Sequence, residues 1–543
     1  MVKTEPKEIW NEYQKAREYK ENIDLFNTVR KNENFYVGKQ WEGVNAPDLP
    51  KPILNFLKRV VNYCAASIVS DDIAVSISPK MEDEGMAAVS KGIAKRIEDV
   101  FEAQKVGAKN RSALRDALVD GDACMFIRFD MGIETGQDAK GDIACELVEN
   151  INVCFGNPYQ ADAQKQPYII IAKRMTVGEI KAEAKANGAS EMDISSIRAD
   201  SDDVQGEQGD SDLATELIKL WRDDDTIHCI VVTETATIRK KWDTGYTLYP
   251  IAWLNWERIK SSYHGQAILT GLIPNQIHVN RLFAMTIRSV EMNAFPKVVY
   301  DPSKIKRWTN QVGGTIEAVG GVGGISDAFT SIRGADVSSQ VMEVINQAVS
   351  MTRDFMGASD AALGNVKPDN TSAIIAVQQA SAVPLELNRL AFYQFVEDYV
   401  RVMMDIMRAD YGKRTLELDI EDAPTETTEI EPGLLIEKPI TQVEFDFSTL
   451  DNVNYSLNVD IGASSYWSEL MQLQTMDNLF AKGLITDATT YLESVPQKYL
   501  RNKNRIIDNL RRAQEQAAQQ MPGQMPGQEQ IPPEMMAALQ NQI

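Results

Sequence analysis

The chain has 543 residues, 43% of them hydrophobic and 25% charged, which is material for one large elaborated fold or for several domains of about 150 residues each. Its 78 Asp and Glu against 56 Lys and Arg leave a net charge of −22, which excludes a generally basic nucleic-acid binder but not a passage that DNA moves through without being held. Apolar runs such as Tyr168-Ile-Ile-Ile-Ala172 fall far short of the ~20 residues a membrane span needs, the N-terminal residues are charged throughout with no signal-peptide core, and five scattered cysteines without CxxC spacing read as reduced, half-buried thiols.

Taken in chain order, residues 5–32 read as one polar helix, and Asn34-Phe-Tyr-Val-Gly-Lys-Gln-Trp41 as an aromatic-rich turn. The prolines at 47, 50 and 52 forbid helix continuation, so a linker is expected there. Residues 53–70 place Ile53, Leu57, Val60, Val61, Cys64 and Ile68 at the 3.6-residue period of an amphipathic helix. Ile73, Val75 and Ile77 alternate as in a strand, and 82–120 read as one or two helices ending at Gly121. Residues 124–129 and 143–148 read as paired strands, with further strands at 168–172 and 226–233. Residues 191–225 hold twelve acids and three basic residues, and predict an exposed loop over much of their length.

Beyond residue 263 the pattern changes. Ile277, Leu282, Phe283, Ile287 and Val290 fall on one helical stripe, with Pro274 suited to the first turn. A glycine-rich β-like stretch follows over 296–336, and a second helix over about 337–356 carries Val341, Val344, Ile345, Ala348 and Met351 as its stripe. A polar loop leads into a long apolar helix, 372–410, that Pro384 must kink or break. Strands are expected near 414–420, 441–447 and 454–460, helices from 464 to 517, and a disordered tail from 518, where Met-Pro-Gly-Gln repeats.

No catalytic constellation emerges. Gly320-Gly-Val-Gly-Gly324 lacks the GK[ST] ending of a phosphate-binding loop and does not match GxGxxG, so it reads as a flexible turn. Neither HExxH nor GxSxG occurs. Asp223-Asp-Asp225 near His228 reads as a solvated acidic cluster rather than a metal site. The segment 498–512 has six basic residues and one acid, which suits either phosphate contact or a solvated, ion-paired helix face.

The order of elements is more specific than any motif. An α+β part gives way to a helix, a β insertion, a returning helix, a polar loop, a long proline-kinked helix and a terminal helical bundle. With Asn34-Phe-Tyr-Val-Gly-Lys-Gln-Trp41, Pro52-Ile-Leu-Asn55, Tyr263-His-Gly-Gln266, Gln276, Asn280 and the 357–371 loop, this order resembles the portal proteins of tailed bacteriophages over nearly the whole chain. The resemblance implies an α+β portal-like fold. Its mixed wing would span 1–263 and 373–461, the latter holding the long kinked helix. The stem helices would be 264–295 and 337–357, with Gln276, Asn280, Arg281 and Arg288 on the first. Residues 296–336 would form the clip, its docking surface for the packaging motor and adaptors carrying Lys304, Lys306, Arg307 and Arg333. Those cations would touch DNA or pair with acids of neighbouring subunits. A tunnel loop, 358–372, would line a DNA channel with Gly364, Asn365, Lys367, Asp369, Asn370 and Thr371. A crown would span 462–517 and a tail 518–543.

The resemblance further implies a homo-oligomeric ring of about twelve subunits with head-to-tail contacts. Its partners would be the terminase large subunit, head-completion or adaptor and tail proteins, the major capsid and scaffolding proteins, and double-stranded DNA in transit. Such a protein sits at the virion's portal vertex, and in the host cytoplasm during assembly. It is not an enzyme, binds no metal or cofactor and meets no membrane. The alternative is another phage head–tail connector or minor capsid protein without a DNA channel.

Overall fold

The computed structural model describes residues 3–69, 73–79, 84–136, 139–200, 212–295, 297–309, 311, 315–319, 328–332, 339–355, 385–417, 425–431, 434–439, 442–450 and 455–461, with isolated positions beyond. The chain divides into two compact units, Met1–Gly462 and Ala463–Ile543. The first is of mixed α+β class. In the second only single positions are described, so the expected crown helices, the 498–512 segment and the tail lie outside the described residues.

The N-terminal region forms two helices rather than one, α1 (Pro6–Asn22) and α2 (Leu25–Val37). They are separated at Asp24, which takes a left-handed φ of 56° that a continuous helix does not allow. Helix α2 also runs through Asn34–Val37, where a turn was expected, and stops at Gly38 (φ 98°). The expected amphipathic helix follows as α3 (Phe56–Ile68), with the Asn55 side chain accepting from Lys58 N at its start and Leu57, Val60, Val61, Cys64 and Ile68 buried. Strand β1 (Ile73–Pro79) and helices α4 (Glu84–Ala103) and α5 (Val106–Asp120) come next, the last ending at Gly121 as its sequence indicates.

Two sheets carry the fold. Strands β2 (Asp122–Asp130), β3 (Asp142–Val148) and β9 (Ile251–Asn255) form a three-stranded sheet in the order β3-β2-β9. Strands β4 (Val153–Phe155), β5 (Tyr168–Thr176), β6 (Leu213–Asp223), β7 (Thr226–Val232) and β8 (Thr237–Asp243) form an antiparallel five-stranded meander. Helices α6 (Val177–Ala186), opened by a Thr176–Glu179 capping box, and α7 (Glu191–Ser196) fall between β5 and β6.

Strand β6 corrects the exposed-loop reading of 191–225 over Leu213–Asp223, while residues 201–211 of that stretch lie outside the described residues. It is the middle strand of the five and is buried on both faces. On one face Leu217 and Trp221 pack with Ile9 and Tyr13 of α1, and Lys219 Nζ donates to Glu12 Oε2 at 2.6 Å. On the other, Ala214 packs with Ile180 and Ala184 of α6, where Glu216 is also buried. Two buried charges made an interior strand read as polar. Asp224 and Asp225 form the β6–β7 turn with positive φ, and Asp223 pairs with Lys241 at 3.1 Å.

Past residue 263 the described elements are α8 (Ile268–Ala294), β10 (Lys297–Tyr300), β11 (Phe329–Ile332), α9 (Ser339–Phe355) and α10 (Glu386–Ile406), which continues as a π-turn over Met407–Tyr411. Pro384 lies outside the described residues. Helix α10 buries Phe392, Phe395, Val396, Tyr399, Val400, Met403 and Met404 in the main core, but Leu387 and Leu390 on its first turns are exposed. Strands β12 (Lys413–Glu417) and β15 (Gln442–Asp446) pair, β13 (Thr425–Glu431) and β14 (Leu434–Pro439) form a separate hairpin, and β16 (Tyr455–Ile461) returns to pair with β1 across the whole unit. All five cysteines are free and fully buried rather than half-buried.

Candidate functional site

The region of interest is built on α8, a long helix that begins inside the core and ends outside it. At 27 residues it is about 40 Å long. It starts six residues before Pro274, so the proline sits inside the helix rather than in its first turn. The apolar residues 268–273 read as a lead-in in the sequence. In the fold Ile268, Leu269 and Ile273 are buried, and that packing holds the helix through the hydrogen bond the proline removes.

The helix is fixed just ahead of its start by a buried polar knot. His264 Nδ1 lies 2.7 Å from Asp122 Oδ2, while Asp122 Oδ1 accepts from Asn255 Nδ2 at 2.7 Å and from Gly265 N at 2.6 Å. Burial holds the His264 pKa below its ordinary value, so a neutral ring donates its Nδ1 hydrogen to the carboxylate. Gly121 and Gly265 are required here. A Cβ on Gly121 would stand 2.8 Å from the Gly265 carbonyl oxygen, and one on Gly265 would stand 2.8 Å from that of Glu257. Lys20, wholly buried, donates to the carbonyls of Asn150 (3.1 Å), Ile151 (2.8 Å) and Val153 (2.7 Å) and lies 3.5 Å from Cys154 Sγ.

Two turns further along, the helix meets a second set of polar contacts. Gln276 Nε2 donates to the Leu54 carbonyl (2.7 Å) and to Asn280 Oδ1 (2.9 Å), and Asn280 Nδ2 donates to Gln40 Oε1 (2.6 Å). Nearby, Trp41 Nε1 donates to the Pro52 carbonyl at 2.7 Å and Asn55 Nδ2 to the Tyr36 carbonyl at 2.9 Å. The segments around 34–41, 52–55 and 276–280 thus converge on one hub, although they lie far apart in the sequence. Gln276 and Asn280 are buried fasteners of α8 rather than surface residues of it. Arg281 and Arg288 are exposed, the latter 3.5 Å from Glu291.

Past Ala284 the helix leaves the core. Helix α9 returns alongside it, antiparallel, with Asn275 Nδ2 donating to Thr352 Oγ1 at 3.2 Å near the inner ends of both. The pair leaves much apolar surface uncovered: Val290 is 60% exposed, Phe295 78%, Val344 49% and Met351 50%. Of the residues on the two helical stripes, Ile277 and Val290 on α8 and Val344 and Met351 on α9 are exposed, and Ile345 is buried. The buried face of α8 is instead Ile273, Gln276, Val279, Asn280 and Ala284. These exposed apolar residues lie on the two helices where they extend beyond the core.

The far ends of α8 and α9 are joined through the β10–β11 hairpin, in which Lys297 faces Ile332 and Tyr300 faces Phe329. Trp308 stacks on Tyr300 (centroids 6.0 Å apart) and tilts against Phe329 (5.6 Å), and Ile305 and Ala328 are buried beneath. Lys304, Lys306 and Arg307 sit on the turn that begins at Asp301, and none of them is within ion-pair distance of a carboxylate among the described residues. Arg333 and the glycines at 313–314 and 320–324 lie outside the described residues, as do Gly364, Asn365, Lys367, Asp369, Asn370 and Thr371.

Asp405, which no sequence motif marks, is 1% exposed on α10. Its carboxylate accepts from Thr247 N (2.7 Å), Leu248 N (2.9 Å), Thr247 Oγ1 (2.9 Å) and Arg408 (2.9 Å), and so fixes α10 to the strand β9 approach. An acid in an apolar helix is the one signal that could have singled it out. Among the described residues, no group of three or more His, Cys, Asp or Glu is placed to hold a metal ion, and no helix is long and apolar enough to cross a membrane. No family model matches the chain, and no curated protein matches it.

Proposed function

We propose that this chain is a portal-type protein, a subunit of a ring around a DNA channel at one capsid vertex of a tailed phage. The observation that carries the reading is the α8–β hairpin–α9 projection. Two antiparallel helices leave a fully built α+β core, present apolar side chains to solvent and carry a small two-stranded tip. In a ring, such helices become a stem whose exposed stripe is covered by the next subunit, in a head-to-tail contact that closes on itself. The core behind α8 acts as the wing, and the tip with Lys304, Lys306 and Arg307 as the clip where a motor and later adaptor and tail proteins dock. Capsid and scaffolding proteins surround the vertex in this reading.

Charge suits this role. From 264 to 357 the chain has eight basic and seven acidic residues, so the proposed stem and clip are nearly neutral. Each phosphate neutralised by a fixed cation adds affinity, and a passage lined with many cations would hold the DNA it must release. The chain is proposed to hydrolyse no nucleotide, the energy for translocation coming from a separate terminase.

Deletion of residues 358–372, the proposed tunnel loop, tests the reading. Rings should still form, while DNA packaging or retention in assembled particles falls. A deletion that leaves packaging intact, or that stops the chain from folding, would remove the loop from the channel.

A further inference from the structure

A groove of about 600 Å³ opens where α2, the 38–49 segment and α8 meet, beside the Gln40–Asn280 hydrogen bond. Phe35, Trp41, Val44 and Ile277 give it an apolar lining. Four exposed cations, Arg30, Lys31, Lys39 and Arg281, surround that lining, and the only carboxylate with them is Glu42, 3.8 Å from Arg30. On a chain of net charge −22 the groove is locally positive. The groove calls for an occupant that is both apolar and acidic.

The same chain carries a segment of that composition. Strands β13 (TETTEIE) and β14 (LLIEKP) contain Glu426, Glu429, Glu431 and Glu437 against Lys438 alone, together with Ile430, Leu434, Leu435 and Ile436. Their surplus of three negative charges equals the groove's surplus of three positive ones. Among the described residues they pair only with each other and join no larger sheet. A two-stranded hairpin by itself is marginal in water and gains from a surface to pack on.

We propose that the groove is a docking site for the β13–β14 hairpin of a second copy of this chain. The hairpin of one subunit enters the groove of the next, and each chain gives a hairpin and receives one. Such a heterologous contact propagates in one direction around a ring. The inference rests on the ring reading for its need of self-association, but it concerns the wing rather than the stem. Its charges steer the encounter and set the register, and the apolar residues supply the burial.

The test uses the full chain with Val44→Cys and Leu435→Cys together. All five native cysteines are buried, so the introduced pair reacts selectively. Mild oxidation of assembled protein should give a ladder of covalent multimers on a non-reducing gel, whereas either single variant, having no cysteine across the contact, should run as a monomer. In parallel, Lys39→Glu with Arg281→Glu should raise the concentration for half-assembly at least ten-fold. Glu429→Lys with Glu431→Lys should do the same, and all four changes in one chain should recover assembly to within about three-fold of the starting value. Circular dichroism checks that each variant is folded. Rings seen by microscopy without the ladder, or a disulfide formed only within one chain, would overturn the docking while leaving the ring reading in place. Groove reversals that weaken binding to a double-stranded DNA probe and leave assembly unchanged would make the groove a phosphate site instead. A chain that stays monomeric in every form would remove the ring reading and the docking with it.

Discussion

Asn280 Nδ2 donates to Gln40 Oε1 across 2.6 Å, joining residues 240 positions apart in the sequence. The bond is buried and belongs to a chain that continues through Gln276 to the Leu54 carbonyl, so α8 is fastened to the α2–α3 connection where it leaves the core. Asn280→Ala strands both amide partners, and its expected cost in urea unfolding is about 2–3 kcal/mol. Gln40→Ala should cost about the same. Because both act on one network, the double variant should lose clearly less than the sum. Fully additive losses would mean that the two side chains act independently.

Asp405 is the second keystone. Its carboxylate is enclosed and satisfied by two backbone N–H groups, a hydroxyl and a guanidinium. Asp405→Ala leaves those donors buried without acceptors and should destabilise the fold by about 3–5 kcal/mol. Asp405→Asn keeps one acceptor oxygen and should lose roughly half of that. Thermal melts of the three forms would show the order, and a harmless alanine would contradict the packing described.

Stability should depend on pH through Glu216. Burial between β6 and α6, followed by the nearby Glu183 carboxylate, raises its pKa to about 7. The folded protein therefore holds this proton more tightly than the unfolded chain, whose glutamate titrates near 4.3. The stabilising contribution is full below about 4.3 and is lost as pH rises toward 7, by on the order of 3 kcal/mol. Glu216→Gln should be more stable than the unmodified chain at pH 8 and nearly equal to it at pH 4. His264 acts on the acid side. Its lowered pKa means that the unfolded chain gains the proton first, so stability falls as pH drops below about 6.5. A Glu216→Gln melt profile parallel to the original at all pH values would refute the assignment.

The exposed stripe on α9 gives an assembly prediction. Val344→Asp with Met351→Asp places two charges on a surface that is open to water in the single chain. Monomer stability should change by less than about 0.5 kcal/mol, as for most surface substitutions. Assembly should weaken by at least ten-fold, since the same positions become buried in the proposed ring. Sedimentation across a dilution series separates the two effects.

The sequence disclosed elements wherever one periodicity ruled a segment. The α3 stripe, the β2 and β3 strands, α9 and the β1 and β16 strands were all legible, although the pairing of β1 with β16 was not, since nothing local marks a partner almost 400 residues away. Strand β6 was hidden because Lys219 and Glu216 are buried and paired or protonated rather than solvated. The buried face of α8 was not legible for a related reason. Gln276 and Asn280 look like solvent-facing residues and are buried, whereas Ile277 and Val290 look like core and are exposed. An apolar residue at helical spacing does not by itself say which face its own chain buries. The hub residues were noticed singly in the sequence, but only the fold brings Gln40, Asn280 and the Leu54 carbonyl together.

The most direct measurement of the central claim is negative-stain electron microscopy of the purified full chain over a range of concentration and ionic strength. The account predicts closed rings of uniform subunit number, about twelve, with an open axial hole and a narrower projecting stem. A uniform population of monomers under every condition, with no ring at any concentration, would contradict it.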